Sequence, residues 1–428
     1  MKISKVYSKI YYGWIITIIS MISLSFYFGI RTVFSVFFVA LIDHFKWSRA
    51  DAAMGQSIAL LAYMVMAPIS GSLVDRIGPR KVIIPGIILT GTGFLLCTQI
   101  QNLFHFYIFF GLMVGVGVTW GMGIAPFTVI ISHWFERKRG AANGIAGIGI
   151  GIGILLLVPI TQYFISYYGW RVAFFILALL VFIIPLPING IFLRHRPEDM
   201  GLYPDGYSFN EAVSSRDKKR IELQYSTQPH ENLPFSKLFP TFRFWSVILF
   251  PALTTFGIYT VIVHHLRYLI DQGVDKLFAA SLFAAVGALT AGFRPFWGWF
   301  SDRIGREITF TIGSTCFSSG IFFLLFYQYI HSNTILYLFV LLFGAGWGVT
   351  TPMIMSITGD IYKGKNFGLI YGIVEGVIGI TGATGAWLAG YIFDQTKSYF
   401  WAFIIVILLN IISVILVWLA APRKFRIR

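Results

Sequence analysis

The sequence predicts an all-α membrane protein with twelve transmembrane helices arranged as two related six-helix bundles. Charged residues make up only 12% of the 428 residues and hydrophobic residues 57%. That is more apolar surface than the interior of a soluble chain of this length could cover. A peptide also occurs twice, about half the chain apart, as GSLVDRIGPRK at residues 71–81 and GWFSDRIGR at residues 298–306. A repeat of this kind between apolar segments indicates a duplicated membrane bundle.

Twelve apolar segments are long enough to cross a hydrocarbon core of about 30 Å, which takes about 20 helical residues. Helices 1 to 6 are predicted at residues 12–40, 52–74, 81–100, 104–133, 140–166 and 171–193. Helices 7 to 12 are predicted at residues 244–270, 277–300, 308–330, 334–358, 367–393 and 399–421. The first segment is too long for a signal peptide and lacks a small-residue cleavage site, so we expect it to be retained.

One long polar interval divides the chain. Its length, proline content and mixed charge are typical of a linker between two bundles. We therefore expect an N-terminal six-helix bundle at residues 1–193, a cytoplasmic linker at 194–243 and a C-terminal six-helix bundle at 244–428.

The net charge of +15 is explained by the membrane, and we expect no nucleic-acid partner. With both termini in the cytoplasm, most Lys and Arg residues fall in inner segments. Few fall in outer segments, namely Lys46, Arg49, Arg171, Lys276 and Lys397. This asymmetry follows the positive-inside rule and predicts a multi-pass protein of the inner cell membrane.

The sequence offers little for catalysis or metal binding. Cys97 and Cys316 fall in helices 3 and 9 without a nearby histidine, so we expect packing residues and neither a disulfide nor a metal site. No nucleophile–base spacing or phosphate-binding loop is evident, which argues against an enzyme. No cofactor is expected.

Charged residues inside the predicted helices are the strongest functional candidates, since an arginine at mid-membrane costs about 2.5–3.5 kcal/mol. Arg294 lies about 10 Å from the inner end of helix 8, and Glu375 about 12 Å from the inner end of helix 11. If these helices face one another, the two residues form a static ion pair or a functional site. In that site Arg294 would hold a substrate carboxylate, with Thr290 on the same helix face, and Glu375 would take a proton. Arg31 in helix 1 could contact a second anion or extend outward to the interface.

Further candidates are less specific. His264, Tyr268 and Asp271 lie at i, i+4 and i+7 near the outer end of helix 7. They predict a proton relay or an outer gate, with a solvated helix end as the alternative for Asp271; a histidine titrates near neutral pH, which favours His264 for proton coupling. Four residues could line a cavity or serve packing: Trp120, Asn143, Tyr371 and Trp347.

The two repeated loops resemble the signature loop of the major facilitator superfamily, and the resemblance covers essentially the whole chain. It implies the fold of that superfamily. It also implies that the loop residues Asp75, Arg76, Asp302 and Arg303 hold a cytoplasmic gate. A carboxylate beside a helix N-terminus and an arginine near a helix C-terminus are both favoured by the helix dipole, and rocking of the bundles could break such contacts.

Finer features resemble the monocarboxylate porter family. They include Tyr12-Gly-Trp14 at the start of helix 1 and RPEDMGLYPDG at residues 196–206, which is similar to bacterial members related to oxalate/formate exchangers. Arg294-Pro-Phe-Trp-Gly298 matches the substrate-binding arginine of that family, followed by proline. Two positions differ, because Thr290 stands where animal members have an aspartate and Thr32, next to Arg31, stands where they have a lysine.

These features together predict a carrier for small monocarboxylates such as lactate, pyruvate or formate. We expect proton-coupled symport or anion exchange by rocking of the two bundles. One alternative is a dicarboxylate/monocarboxylate exchanger, which Arg31 and Arg294 could serve as two cations. A non-transporting membrane sensor is a rival of another class, although the linker carries no recognisable output domain. The expected partners of the monomer are a small organic anion, a proton or counter-anion, and the lipid bilayer.

Overall fold

A computed structural model describes residues 11–135, 139–206, 238–362 and 367–422. Within these ranges twelve helices are long and apolar enough to cross a membrane, which confirms the predicted fold class. The N-half contains α1 (Tyr12–Phe45), α2 (Arg49–Ile77), α3 (Pro79–Cys97), α4 (Leu103–Trp134), α5 (Arg139–Tyr168) and α6 (Trp170–Phe192). The C-half contains α7 (Phe242–Asp271), α8 (Lys276–Ile304), α9 (Arg306–Phe326), α10 (Asn333–Ile361), α11 (Phe367–Thr396) and α12 (Phe400–Ala420).

The duplication is visible in where helices are interrupted. The helical path of α4 breaks at Gly123, three residues before Pro126. In α10 the change is smaller: the regular helical hydrogen bonding is interrupted at Val349, three residues before Pro352, but Val349 keeps helical dihedral angles (φ −70°, ψ −26°). Proline removes an amide donor and clashes with the preceding turn, so it favours a break at this place in both halves. The two interruptions occupy corresponding positions in the fourth helix of each half.

Part of the predicted linker packs against the N-half. Residues 207–237 lie outside the described ranges. Residues 194–206 contact the inner ends of α1 and α4. The Tyr11 hydroxyl lies 2.9 Å from the carbonyl oxygen of Trp134 and 3.0 Å from that of Tyr203. The Trp134 indole N–H donates to the carbonyl of Arg194 at 3.3 Å. The start of the linker is therefore folded and held against the N-half by hydrogen bonds.

Among the described residues, the most extensive contacts between the halves are those of α1 with α7, α2 with α11, and α5 with α8. We call the face at which α1 and α7 end the outer face, in keeping with the orientation that the charges predict. On α5 and α8 a Cβ atom at Gly151 would lie 2.3 Å from the Ala291 side chain, and one at Gly287 would lie 2.4 Å from Ile154. Nearer the inner end of α5, Gly147 has no such neighbour within 4 Å among the described residues. These close approaches lie near the middle of α5 and α8, and open space begins about one turn nearer the inner end of α5.

Replacing Gly153 by alanine should destabilise the N-half. A Cβ atom there would lie 1.8 Å from the backbone carbonyl oxygen of Ser25 in α1, and a backbone atom cannot rotate aside. Such overpacking costs about 1–3 kcal/mol, so the melting temperature of the detergent-purified variant should fall. Gly147→Ala on the same helix, where space is open, is the matched control and should melt as the unmodified protein does. Equal melting temperatures for both variants would contradict the described packing of α1 on α5.

Candidate functional site

Arg294 lies in α8 where two hydrogen bonds fix this helix to α10. Thr290 donates to the carbonyl of Gly344 at 3.1 Å, and the Trp297 indole N–H donates to that of Ala345 at 2.8 Å. Between these anchors the Nε atom of Arg294 is buried, and no described residue accepts a hydrogen bond from it. A buried, unpaired donor on a permanent cation is costly. Within the described residues, Arg294 therefore keeps a buried donor that no protein group uses.

Thr290 corrects one prediction. The sequence placed it in the substrate site beside Arg294, but its side chain is only 1% exposed and its hydroxyl is bound to α10. Its short side chain fits the contact between α8 and α10, and its hydroxyl group satisfies a backbone carbonyl there. Thr290 is a packing residue in this state.

Glu375 is held by tyrosines and not by Arg294. The Tyr63 hydroxyl of α2 donates to the Glu375 carboxylate at 3.2 Å, and the Tyr371 hydroxyl, one turn earlier in α11, also hydrogen-bonds it. The cation whose charge acts on Glu375 is Arg31. The expected pairing of Arg294 with Glu375 is wrong for this state, because α11 packs on α2 and α7 whereas α8 packs on α5 and α10.

Arg31 is enclosed by three tyrosines drawn from both halves. Its guanidinium donates hydrogen bonds to the hydroxyls of Tyr27, one turn before it, and of Tyr259 in α7. The guanidinium carbon lies 5.0, 4.9 and 5.6 Å from the ring centres of Tyr27, Tyr63 and Tyr259, within the range of cation–π attraction. Arg31 therefore does not extend outward to the interface. These bonds use two of its five N–H groups.

Two other predicted cavity residues lie in the N-half. The indole N–H of Trp120 in α4 is buried and has no partner among the described residues. Asn143 is partly exposed near the inner end of α5, where Gly144 and Gly147 leave open space. Within the described residues, Trp120 thus resembles Arg294 in having an unused buried donor, whereas Asn143 lies beside open space near the inner end of α5.

At the outer face, ion pairs join the two halves. Asp271 of α7 lies 2.5 Å from Arg49 of α2 and 3.0 Å from Arg267. Asp43 at the end of α1 pairs with Arg267 and, at 3.1 Å, with Lys276 of α8. We call these five residues the outer gate. The sequence offered a proton relay, an outer gate or a solvated helix end for Asp271, and the structure shows it in ion pairs with Arg49 and Arg267.

A carboxylate of the C-half also caps a helix of the N-half. The two oxygens of Asp394 in α11 accept the backbone N–H groups of Arg49 at 3.0 Å and Ala50 at 2.8 Å. These amides at the start of α2 have no acceptor within their own helix, and a negative charge is favoured there. A Cβ atom at Gly390 would lie 2.7 Å from the Arg49 backbone, so only glycine permits this approach. The structure is therefore closed at its outer face.

His264 does not join Tyr268 and Asp271 in the predicted relay. It is fully buried, with Nδ1 3.0 Å from the Tyr399 hydroxyl and Nε2 2.8 Å from the Ala386 carbonyl oxygen. The Tyr268 hydroxyl faces the Leu325 carbonyl of α9 at 3.5 Å. The rings of His264 and Tyr268 both lie near that of Tyr399, with ring centres 5.2 and 6.2 Å apart, but no described hydrogen bond joins His264, Tyr268 and Asp271 directly.

The repeated inner loops brace each half separately. Arg306 lies 2.6 Å from Asp302 and 3.0 Å from Asp360 at the end of α10. Arg303 lies over the Trp299 ring at 4.2 Å. In the N-half, Arg80 donates to the carbonyls of Leu193 at 2.8 Å and Ile191 at 2.9 Å, while Arg76 is exposed. The side chain of Asp75 lies outside the described residues, so the predicted role of these loops as a gate remains a prediction.

Twelve helices long enough to cross a membrane, in two halves whose outer ends are joined by ion pairs, are typical of a membrane transporter. A sequence profile of the Major Facilitator Superfamily matches residues 19–358 and 266–427, and the chain belongs to this family. It is 26% identical over 403 residues to monocarboxylate transporter 13 of Bos taurus, covering 92% of this chain and 86% of that protein. It is 28% identical over 400 residues to monocarboxylate transporter 2 of Rattus norvegicus, covering 92% and 80%. These relatives confirm the predicted resemblance to the monocarboxylate porters.

Solved structures show the same fold. A bacterial homologue of the human lysosomal transporter Spinster, in an inward-facing and occupied conformation, matches with a TM-score of 0.73 and 15% identity. The match covers 97% of this chain and 99% of that one. A D-xylose–proton symporter matches with a TM-score of 0.71 and 15% identity over 95% and 98% of the two chains. At this identity the likeness concerns the fold alone.

Proposed function

We propose that this transporter is a secondary active carrier of small monocarboxylates such as lactate, pyruvate or formate, coupled to protons. The proposal places it in the inner cell membrane with both termini in the cytoplasm, as the charge asymmetry favours. The single observation that supports the substrate class is the buried Nε of Arg294, which has no acceptor among the described residues. The names of the similar animal transporters support the same class.

Arg294 is suited to a carboxylate by geometry and by charge. A guanidinium presents two parallel N–H groups that match the two oxygens of a carboxylate. One permanent cation anchors one carboxylate, and the indole N–H of Trp120 is a further buried donor in the opposite half. A substrate anchored on α8 of the C-half that also contacts α4 of the N-half would be sensitive to movement between the halves.

Glu375 is the group that we assign to proton coupling. Its carboxylate contacts hydroxyl groups of Tyr63 and Tyr371 and lies in the field of Arg31. None of these contacts is a direct ion pair that would have to break when the carboxylate takes a proton. Because Tyr63 belongs to α2 and Glu375 to α11, a change of charge at this position acts on a contact between the halves.

Transport would occur by rocking of the bundle at residues 1–193 against that at 244–428, with residues 194–243 as the cytoplasmic linker. The outer gate is closed in this structure, so the opposite state requires the ion pairs of Asp43 and Asp271 to separate. In that state we expect the repeated inner loops to hold the inner side together, with Asp75, Arg76, Asp302 and Arg303 as gate residues.

Replacing Asp302 by asparagine tests the inner gate. Loss of its charge weakens the contact with Arg306, so the initial rate of uptake should fall several-fold. Substrate binding should largely persist, because Asp302 lies at the inner end of α8, about two turns beyond Arg294. Uptake into proteoliposomes and calorimetric binding on the same preparation separate the two effects. An equal loss of binding and transport would contradict a gating role.

A dicarboxylate/monocarboxylate exchanger is the second candidate. It is favoured by the position of a second cation, Arg31, between tyrosines of both halves. Arg31 is a second cation between the halves and keeps N–H groups that its tyrosines do not use. With Arg294 it could hold two carboxylates.

Uptake into proteoliposomes decides between the candidates. Purified protein would be tested with labelled lactate, pyruvate, formate and oxalate, with and without an imposed pH gradient, and lactamide would serve as an uncharged competitor. The proposal predicts accumulation of monocarboxylates driven by the pH gradient and no competition by lactamide. Oxalate uptake that requires an internal anion and ignores the pH gradient would favour the exchanger.

A further inference from the structure

The closed outer face depends on where the Arg49 side chain is held. Arg49 belongs to α2 and is only 8% exposed, because it enters the C-half between Asp271, Phe393 and Tyr399. One nitrogen lies 2.5 Å from Asp271, and another donates to the Tyr399 hydroxyl at 2.8 Å. The guanidinium carbon lies 3.4 Å from the centre of the Phe393 ring. This one side chain therefore joins α2 to three elements of the opposite half.

The Tyr399 hydroxyl links Arg49 to His264. A guanidinium can only donate, so the hydroxyl oxygen accepts from Arg49 and its own hydrogen needs another acceptor. His264 Nδ1 lies 3.0 Å away. The other ring nitrogen faces the Ala386 carbonyl oxygen at 2.8 Å, which can only accept, so Nε2 carries the proton and Nδ1 is free to accept. The bonds run in one direction from Arg49 through Tyr399 and His264 to Ala386.

His264 is also fixed from its other side. Its ring meets Phe38 of α1 edge to face, with the ring centres 5.0 Å apart, and the side chain is fully buried. Without His264, the hydrogen of the Tyr399 hydroxyl would lose its acceptor and the hydroxyl could turn. The lone pairs of its oxygen would then no longer be held toward Arg49, so the hydrogen bond from Arg49 would weaken and the ion pair with Asp271 would be less well directed.

We propose that His264 is a positioning residue for the outer gate, which holds Tyr399 so that Tyr399 holds Arg49 in the C-half. This role differs from the proton coupling that the sequence suggested for His264. It goes beyond the proposed transport of monocarboxylates and does not depend on which substrate is carried.

Spin labels on the two halves test the proposal without any substrate. Gln101, between α3 and α4, and Asn333, at the start of α10, are exposed outer positions in opposite halves. Both would be changed to cysteine and labelled in a protein in which Cys97 and Cys316 are alanine. Opening of the outer gate lengthens the distance between the labels. Double electron–electron resonance measures the distribution of this distance, and the areas of its long and short peaks give the ratio of open to closed molecules.

His264→Leu and Tyr399→Phe should each raise the ratio of open to closed molecules by about tenfold, the effect of losing one directed hydrogen bond to a charged group. His264→Gln should restore most of the closed population, because its amide can donate to Ala386 and accept from Tyr399. His265→Leu is the matched control. His265 is the next residue and equally buried, but its Nδ1 faces only carbonyls of its own helix, at Val261 and Ile262. Its replacement should leave the ratio unchanged.

A double variant separates positioning from general loss of packing. Arg49→Leu should open the gate on its own, and adding His264→Leu should cause no further change, because both act through one chain of bonds. The proposal is overturned if His264→Leu keeps the distances of the parent protein, or if the two shifts add. Size-exclusion chromatography checks folding. If His264→Leu does not fold, Tyr399→Phe decides, and parent distances in that variant overturn the proposal.

Discussion

Replacing Arg294 by alanine is expected to abolish the uptake of monocarboxylates. The guanidinium is the one permanent cation that α8 carries between Lys276 and Arg303, and its buried Nε has no acceptor among the described residues. Alanine removes both the charge and the paired donors that fit a carboxylate. The initial rate of lactate uptake into proteoliposomes under an inward pH gradient should fall to that of protein-free vesicles.

Two further variants sharpen this result. Arg294→Lys keeps the charge but loses the planar pair of donors, so the apparent affinity should weaken by about 1.5–3 kcal/mol, a factor of about 10–150. Arg171→Ala is the control, because Arg171 is exposed at the outer face and stacks on Trp170 at 4.1 Å. It should transport at the parent rate. Parent rates in a folded Arg294→Ala protein would show that Arg294 serves structure alone.

Replacing Glu375 by glutamine is expected to abolish accumulation driven by a pH gradient while substrate exchange continues. The amide oxygen can still accept from Tyr63 and Tyr371, so the contact between α2 and α11 is kept. The amide cannot take up and release a proton, and only net transport needs that step. The steady-state lactate level under a pH gradient measures accumulation, and counterflow without a gradient measures exchange.

Tyr63→Phe is the matched control for Glu375. It removes one hydroxyl contact but leaves the carboxylate, so accumulation should persist at a reduced rate. If Glu375→Gln still accumulates lactate against its gradient when driven by pH, another group carries the proton.

The fold could be predicted from the sequence because its signals are local and additive. Segments of about 20 apolar residues require little knowledge of their neighbours, since lipid is the common environment for all of them. The repeated loops then indicate the duplication. The interruptions at Gly123 and Val349 could have been predicted from the prolines that follow three residues later.

The site was harder to predict because it depends on which helix faces meet. Arg294 and Glu375 lie at similar depth along their helices, yet Glu375 meets Tyr63 instead. Thr290 shares a helix face with Arg294, but its hydroxyl donates a hydrogen bond to the Gly344 carbonyl of α10. The contacts of Arg31 with Tyr63 and Tyr259 could not be predicted from the sequence. These tyrosines reach Arg31 only because α2 and α7 pack beside α1.

The charges of the outer gate are visible in the sequence, but their pairing is not. Acidic and basic residues stand at the outer ends of helices in both halves, with Asp43 and Arg49 in one and Arg267, Asp271 and Lys276 in the other. Their opposite charges suggest pairing, but the choice of partner follows from how α1, α2, α7 and α8 meet.

Calorimetric titration of lactate and pyruvate into purified protein, with and without Arg294, tests the central claim most directly. It needs no gradient and no movement of the halves, so a defect in gating or proton coupling does not obscure it. We expect saturable binding to the parent protein and none to an Arg294→Ala variant that is folded and monodisperse. Binding of the same affinity to both proteins would contradict Arg294 as the carboxylate anchor.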